Sequence, residues 1–174
     1  MLVFSLIAVA FSSVFVHVLA TSCTRTYTVQ IGDICDSISA ANNVSTYQLA
    51  VVNPEINHDC TNLLPGQQLC LGHSGTDCTT TYVVKPNDDC NIVSSAYNIN
   101  ATVLSHNNPQ LNADCSNMYI GEVLCVAGAV TVSPPEGQPP ATNIPAIATP
   151  AKPYHTGSPD HHDDGDDDDL PWCD

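Results

Sequence analysis

The sequence predicts an α+β protein with two tandem, small, disulfide-stapled βααβ modules at residues 23–72 and 78–127, a signal peptide at 1–20, and a disordered Pro-rich, acidic tail at 128–174. Three observations carry this prediction. Shifting the chain by 55 residues lays Cys23 on Cys78, Cys35 on Cys90, Cys60 on Cys115 and Cys70 on Cys125 without a gap. The same shift matches Tyr27 with Tyr82, Val29 with Val84, Asp33 with Asp88, Ile38 with Val93 and Leu49 with Leu104. It also matches Asn53-Pro54 with Asn108-Pro109 and Gly66 with Gly121. Units of about fifty residues fall below the size at which an apolar core alone is dependable, so disulfides are the expected reinforcement. Four cysteines per unit suggest two bridges inside each repeat, and three pairings remain open.

Within the first unit, Tyr27-Thr28-Val29 alternates like a short strand and stops at Gly32. Asp33 can cap a helix running through Asn42, with Cys35 and Ile38 on its inner face. Ser45 with Gln48 three places on forms a capping box for a second helix, whose apolar stripe is Leu49 and Val52. That helix stops at Asn53, because Pro54 pushes the preceding residue away from helical angles. Pro65-Gly66 then signals a turn into a second strand, Gln68 to Leu71. The second unit repeats this order with strand Tyr82 to Val84, helices near Cys90 to Tyr97 and Ala101 to Asn107, and strand Val123 to Val126. Two strands cannot hold together unaided, so they are expected to pair antiparallel beneath the helices. The link from Leu71 to Asp77 contains Gly72 and Gly75, which leaves the relative orientation of the units open.

The flanks read differently. Leu2 to Leu19 is an apolar run ending in Val18-Leu19-Ala20, the pattern of a secretory signal cleaved after Ala20. An uncleaved signal anchor is the alternative, since no basic residue precedes the run. Nine cysteines in 174 residues also suit an oxidising, extracellular compartment. From Ser133 to Pro159 the chain is rich in Pro, Ala, Thr and Ser, a composition that cannot bury a core. Asp160 to Asp169 mixes His with Asp but lacks regular metal-site spacing, and reads as a solvated, self-repelling run. Cys173 is the odd cysteine, free or bridged to another chain, which is the route to a covalent dimer. With no hydrophobic stretch after it, a glycolipid anchor is not expected.

A net charge of −15, with only Arg25, Lys85 and Lys152 as cations, disfavours nucleic acid and anionic membrane as partners. Nine of the 18 acidic residues lie between Cys23 and Val126, and eight lie at or beyond Asp160, so the modules themselves are only mildly acidic. A neutral ligand fits them best.

Tyr27-Thr28-Val29-Gln30-Ile31-Gly32-Asp33, then Ile38, then Asn53-Pro54, then Leu64-Pro65-Gly66-Gln67 has the order and spacing of a LysM module. The resemblance covers 104 of 174 residues, Cys23 to Val126. With the signal peptide and four-cysteine spacing, the chain resembles the secreted fungal LysM effectors. That resemblance implies a βααβ fold binding N-acetylglucosamine oligomers, chitin or its fragments, with no cofactor or metal. It also implies either shielding of cell-wall chitin or sequestration of fragments from host receptors and chitinases.

The resemblance places the sugar in a shallow groove between two loops. The first groove would set Gly32, Asp33 and Ile34 against Asn53, Pro54, Glu55 and Ile56; the second would set Asn87, Asp88 and Asp89 against Asn108, Pro109, Gln110 and Leu111. Loops rich in Gly, Asn and Pro offer backbone N–H and C=O groups to an acetamide, while Ile56 or Leu111 can cover its methyl. Aromatic stacking is not the expected mechanism, because the chain's one Trp is Trp172, in the tail. LysM modules usually begin the first groove loop with a Gly-Asp-Thr-like triplet. Here the first unit has Gly32-Asp33-Ile34 and the second Asn87-Asp88-Asp89, so the first groove is expected to bind better.

Plainer readings stand beside these. Asn-Pro can be only a helix stop, Asp33 and Asp88 only helix caps, and Tyr27 and Tyr82 only core strand residues. Asn43-Val44-Ser45 and Asn100-Ala101-Thr102 are glycosylation sequons that do not align under the repeat. Glycoside hydrolysis needs two carboxyl groups fixed across a bond on a rigid scaffold, and no segment outside the modules and flanks supplies one. An enzyme is therefore disfavoured. A structural cell-wall protein attached to the organism's own chitin is the alternative to a soluble effector.

Overall fold

The computed structural model describes residues 22–57, 59–132 and 145–152. The expected signal peptide at 1–20, the acidic run from Asp160 and Cys173 lie outside the described residues. The first module is β1 (Cys23–Thr28), α1 (Cys35–Asn42), α2 (Thr46–Val52) and β2 (Gln68–His73). The second is β3 (Thr81–Val83), α3 (Cys90–Tyr97), α4 (Ala101–Asn107) and β4 (Val123–Cys125). Each pair of strands is antiparallel and in equivalent register, with Tyr27 opposite Leu69 and Tyr82 opposite Leu124.

The helices close over these two-stranded sheets because the apolar positions converge. Val29, Ile38, Val44, Leu49, Leu69 and Leu71 are buried together in the first module. Val84, Val93, Leu104, Met118, Leu124 and Val126 are buried together in the second. Each fully buried aliphatic side chain contributes roughly 1.5–3 kcal/mol, too little over so few residues without reinforcement. The bridges supply it. Cys23 pairs with Cys70, tying β1 to β2, and Cys78 pairs with Cys125, tying the segment before β3 to β4, each across 47 residues. Cys35 pairs with Cys60 and Cys90 with Cys115, tying the first helix of each module to the loop before its second strand. Each closed loop is worth about 2–4 kcal/mol through the restricted unfolded chain.

Asn43 and Asn98, matched by the repeat, take left-handed angles as the C-caps of α1 and α3, a conformation Asn tolerates better than most residues. Asp33 does not cap α1, as the sequence suggested. The N-cap of α1 is Ile34, whose N–H donates to the Ser37 hydroxyl at 3.1 Å. The capping box at α2 is half formed: Ser45 Oγ accepts from the Gln48 N–H at 3.1 Å. The Gln48 side chain is drawn elsewhere, to the inter-module link.

That link does not leave the modules free to turn. Arg25 grips Asp77 through Nε at 2.7 Å and Nη2 at 2.6 Å, and its Nη1 donates to the Asn42 carbonyl at 2.8 Å. Gln48 Nε2 donates to the Leu71 carbonyl at 2.6 Å and to Asp77 at 2.7 Å, while its Oε1 accepts from the Cys78 N–H at 2.8 Å. A Cβ at Gly72 would lie 2.3 Å from Asp77 Cγ, so this glycine permits close packing. Tyr47 is buried with Cys78, Cys125 and Val132. Thr46 Oγ1 donates to Asp36 and accepts from the Val123 N–H, both at 3.0 Å, and the Tyr119 hydroxyl donates to Asp36 at 3.2 Å. These contacts use positions where the repeats differ: Asp36 against Asn91, Thr46 against Ala101, Gln48 against Val103 and Tyr119 against Leu64.

Residues 145–152 also depart from the disordered tail expected over 128–174. Pro150 bridges antiparallel to Tyr119, and Ala151 joins the buried cluster of the second module. The reason is local chemistry: Ala151 is small enough to enter that core, and Lys152 reaches an acidic partner, Asp89.

Candidate functional site

Each module presents two loops at one end, and the repeat builds both pairs alike. Between β1 and α1, Gly32 takes φ +88°, a left-handed angle that favours glycine. The equivalent Asn87 takes φ +69°, which Asn tolerates, so the Gly-to-Asn difference between repeats preserves the loop. Asp33 Oδ2 accepts from the Tyr27 hydroxyl at 2.8 Å and from the Gln30 N–H at 2.7 Å. Asp88 Oδ2 accepts likewise from Tyr82 at 2.6 Å and from the Lys85 N–H at 2.7 Å. Asp33 and Asp88 are loop clamps rather than helix caps. Their hydrogen bonds raise both phenols: Tyr27 through Asp33 first, and Tyr82 up to about 12 through burial first and Asp88 second. The tyrosines pack at the edge of the core as expected, and Tyr82 also meets Tyr97 edge-on at 5.6 Å.

The second loop, after α2 or α4, is set by buried asparagines. Asn53 Nδ2 donates to the carbonyls of Leu49 at 2.8 Å and Cys70 at 2.6 Å, and its Oδ1 accepts from the Cys70 N–H at 2.7 Å. Asn108 makes the same three bonds to Leu104 and Cys125, each at 2.8 Å. Neither amide faces a groove; both lock helix to strand behind it. Further out, the N–H groups of Asn57 and Asn112 donate to Asn62 and Asn117, each at 2.9 Å. Residue reasoning passed over these pairs, although the 55-residue register matches them.

Of the residues expected to line the first groove, Gly32, Ile34, Pro54 and Glu55 are exposed and Ile56 is half-buried. Ile31 at 91%, Ile34 at 53% and Leu64 at 66% exposure are apolar side chains left in solvent on the loops of this module. No fixed carboxylate pair stands out here, since Asp33 is already engaged by Tyr27 and Gln30.

The second groove differs. Gln110 and Leu111 are buried, and Pro109 is half-buried. Asp89 serves as N-cap of α3, accepting from the Ile92 N–H at 2.8 Å, and pairs with Lys152. The Lys152 ammonium, and then the Ile92 amide, hold the Asp89 carboxyl below its ordinary range. Residues 145–152 cross from one loop to the other. The Asn87 N–H donates to the Ala151 carbonyl at 2.7 Å, the Ala151 N–H to the Met118 carbonyl at 2.9 Å, and the Ile120 N–H to the Thr149 carbonyl at 2.8 Å.

Gln110 Nε2 donates to Glu122 at 2.9 Å, and burial pushes the Glu122 carboxyl from 4.5 to about 7. The sequon asparagines are exposed, Asn43 at the α1 C-cap and Asn100 at the α4 N-cap, where Oδ1 accepts from the Thr102 N–H at 2.7 Å, but Val44 and Ser45 of the first sequon are buried.

Comparison with known proteins agrees with the two-module architecture. The LysM domain model matches residues 27–72 and 82–127, together more than half of the chain. A non-secreted LysM effector of Penicillium expansum is 33% identical over 132 residues, covering 71% of this chain and 10% of that protein. A secreted LysM effector of Pochonia chlamydosporia is 35% identical over 130 residues, covering 71% and 19%. One from Trichophyton rubrum, also named secreted, is 27% identical over 131 residues, covering 62% and 52%. The chain thus spans between a tenth and about half of the length of these relatives. Among solved structures, the Bacillus cereus spore cortex-lytic enzyme SleL aligns over 59% of this chain and 22% of its own, at 23% identity and a TM-score of 0.26, too low to bear on the argument. On its two matched modules, the chain belongs to the LysM domain family and is similar to fungal LysM effectors.

Proposed function

We propose that this protein is secreted and binds N-acetylglucosamine oligomers, chitin foremost, without covalent chemistry, so as to sequester fragments or cover wall chitin. The open first groove carries the reading. Gly32 takes a left-handed angle at an exposed position beside exposed Ile34, and Pro54 and Glu55 are exposed with Ile56 half-buried. Such a surface offers backbone donors and acceptors to an acetamide and apolar cover to its methyl, and it presents no cationic cluster for an anionic polymer. Membership in the LysM family and similarity to proteins named LysM effectors support the same ligand class. A two-carboxylate hydrolase is disfavoured because the clamp on Asp33 leaves Glu55 as the one uncommitted acid among the first-groove residues. Exposed Asn43 and Asn100 are proposed N-glycan sites, checked by mass shift on glycosidase treatment.

The deciding experiment is a pull-down against chitin, cellulose, chitosan and peptidoglycan, followed by calorimetry with chitin oligomers. Retention on chitin and saturable heat with oligomers are expected. Failure to bind any N-acetylglucosamine polymer overturns the reading. Washing the protein from intact hyphae separates the two destinations: tight retention indicates wall cover, and release into the medium indicates a soluble effector.

A further inference from the structure

We propose that residues 145–152 are a built-in strap that occupies the second groove and competes with sugar there; this rests on the chitin-oligomer reading above. Three of the strap's features match what an acetamide presents. The Ala151 carbonyl accepts from the Asn87 N–H of one groove wall, and the Ala151 N–H donates to the Met118 carbonyl of the other. The Ala151 methyl, 3% exposed, lies in the apolar cluster that contains Leu111 and Met118. A carbonyl, an N–H and a methyl are thus met by groove groups, so an N-acetylglucosamine unit seeking them meets a filled site.

The sequence differences between the modules explain why the strap belongs to the second groove. Ile120 donates its N–H to Thr149, whereas the equivalent position in the first module is Pro65, which has no N–H to give. Asp89 pairs with Lys152, whereas its equivalent is Ile34, exposed and uncharged. Among the described residues no backbone carbonyl accepts from Gly32, the equivalent of Asn87. The departure at Asp89 thus serves a contact with the chain's own tail, while Asn87 contributes only its backbone N–H. Because the strap is tethered, its effective concentration at the groove is high, and free oligomer binds there only in the fraction of molecules whose strap has lifted.

The test uses the full chain and two variants. Ala151→Glu puts a carboxylate into the apolar cluster, and Lys152→Glu turns the Asp89 pair into repulsion. Residue-resolved NMR follows a chitin-oligomer titration at Gly32 and Ile56 for the first groove, and at Asn87 and Leu111 for the second. Amide exchange at Asn87 and Ile120 reports the strap, and exchange at Val93 and Leu104 reports the fold of the second module. Protected Asn87 and Ile120 amides are expected in the unaltered chain and loss of that protection in both variants, with Val93 and Leu104 unchanged in Lys152→Glu. The second groove should then respond at oligomer concentrations on the order of tenfold lower than in the unaltered chain. Unprotected Asn87 and Ile120 in the unaltered chain would overturn the strap. So would a first groove that responds in every chain while the second shows no gain in Lys152→Glu. Silence at both grooves in every chain would instead overturn the chitin reading, and the strap's competition with it.

Discussion

Glu122→Gln should remove most of a fall in stability that accompanies rising pH. Glu122 is 2% exposed, receives Gln110 Nε2 at 2.9 Å and the Tyr119 N–H at 3.4 Å, and lies near the Asp36 carboxylate. Burial dominates, raising its pKa from 4.5 to about 7, and Asp36 adds to the rise. The folded protein therefore holds this proton more tightly than the unfolded chain. The resulting stabilisation is fully present below about 4.5 and disappears as pH rises through about 7. At 1.36 kcal/mol per unit, the shift corresponds to about 3 kcal/mol, or about 10 °C in Tm for a folded unit of this size. Asp36, also raised by burial, acts in the same direction. Asp77, lowered by Arg25, acts oppositely: its stabilisation is present above the unfolded carboxylate pKa and lost as pH falls through its folded value. The interval from about 5 to 8 consequently isolates the raised carboxyls. Urea unfolding of both proteins across that interval, with disulfides intact, measures the difference. The unaltered protein should lose stability toward pH 8, and the variant should show a much flatter profile. Equal slopes in the two proteins would refute the burial argument.

Four further outcomes follow from the geometry. Asn53→Ala removes three bonds, two of which lock the end of α2 to β2, and leaves backbone groups of Cys70 without them, so a loss of about 2–4 kcal/mol is expected in denaturant melts. Gly32→Ala forces a side chain into φ +88° and should cost about 1 kcal/mol, whereas Gly32→Asn, copying Asn87, should cost less; thermal melts of the pair check the ranking. Tyr47→Ala empties a buried site between the modules and should cost about 3–5 kcal/mol, with faster amide exchange at Val123 beside Thr46. Removing the Cys35–Cys60 bridge as a double Ala variant should cost about 2–5 kcal/mol, and peptide mapping of the unaltered protein should recover Cys35 joined to Cys60 and Cys23 to Cys70.

Much of the architecture was legible from spacing. The gapless cysteine frame, the alternation around Tyr27, the Ser45 cap and the Pro54 stop are local signals, and each produced its element within a few residues of the observed ends. The site was less legible because side-chain partners are not local. Asp33 stands where a cap belongs, yet Tyr27, six residues earlier, draws its carboxylate into a clamp. Asn53 looks like a groove residue beside Pro54, but the return of β2 buries its amide.

By itself the sequence determined the repeat, the α+β modules and the number of bridges to expect, because periodicity and turn chemistry act over short stretches of chain. Tertiary structure decided the bridge pairing among three possibilities, the locking of the modules through Gln48, Asp77 and Tyr47, and the docking of Ala151 against Asn87 and Met118. Those depend on residues far apart in the chain meeting in space. The departure at Asp89 in the second module became intelligible only once Lys152 of the tail segment that meets it had been placed.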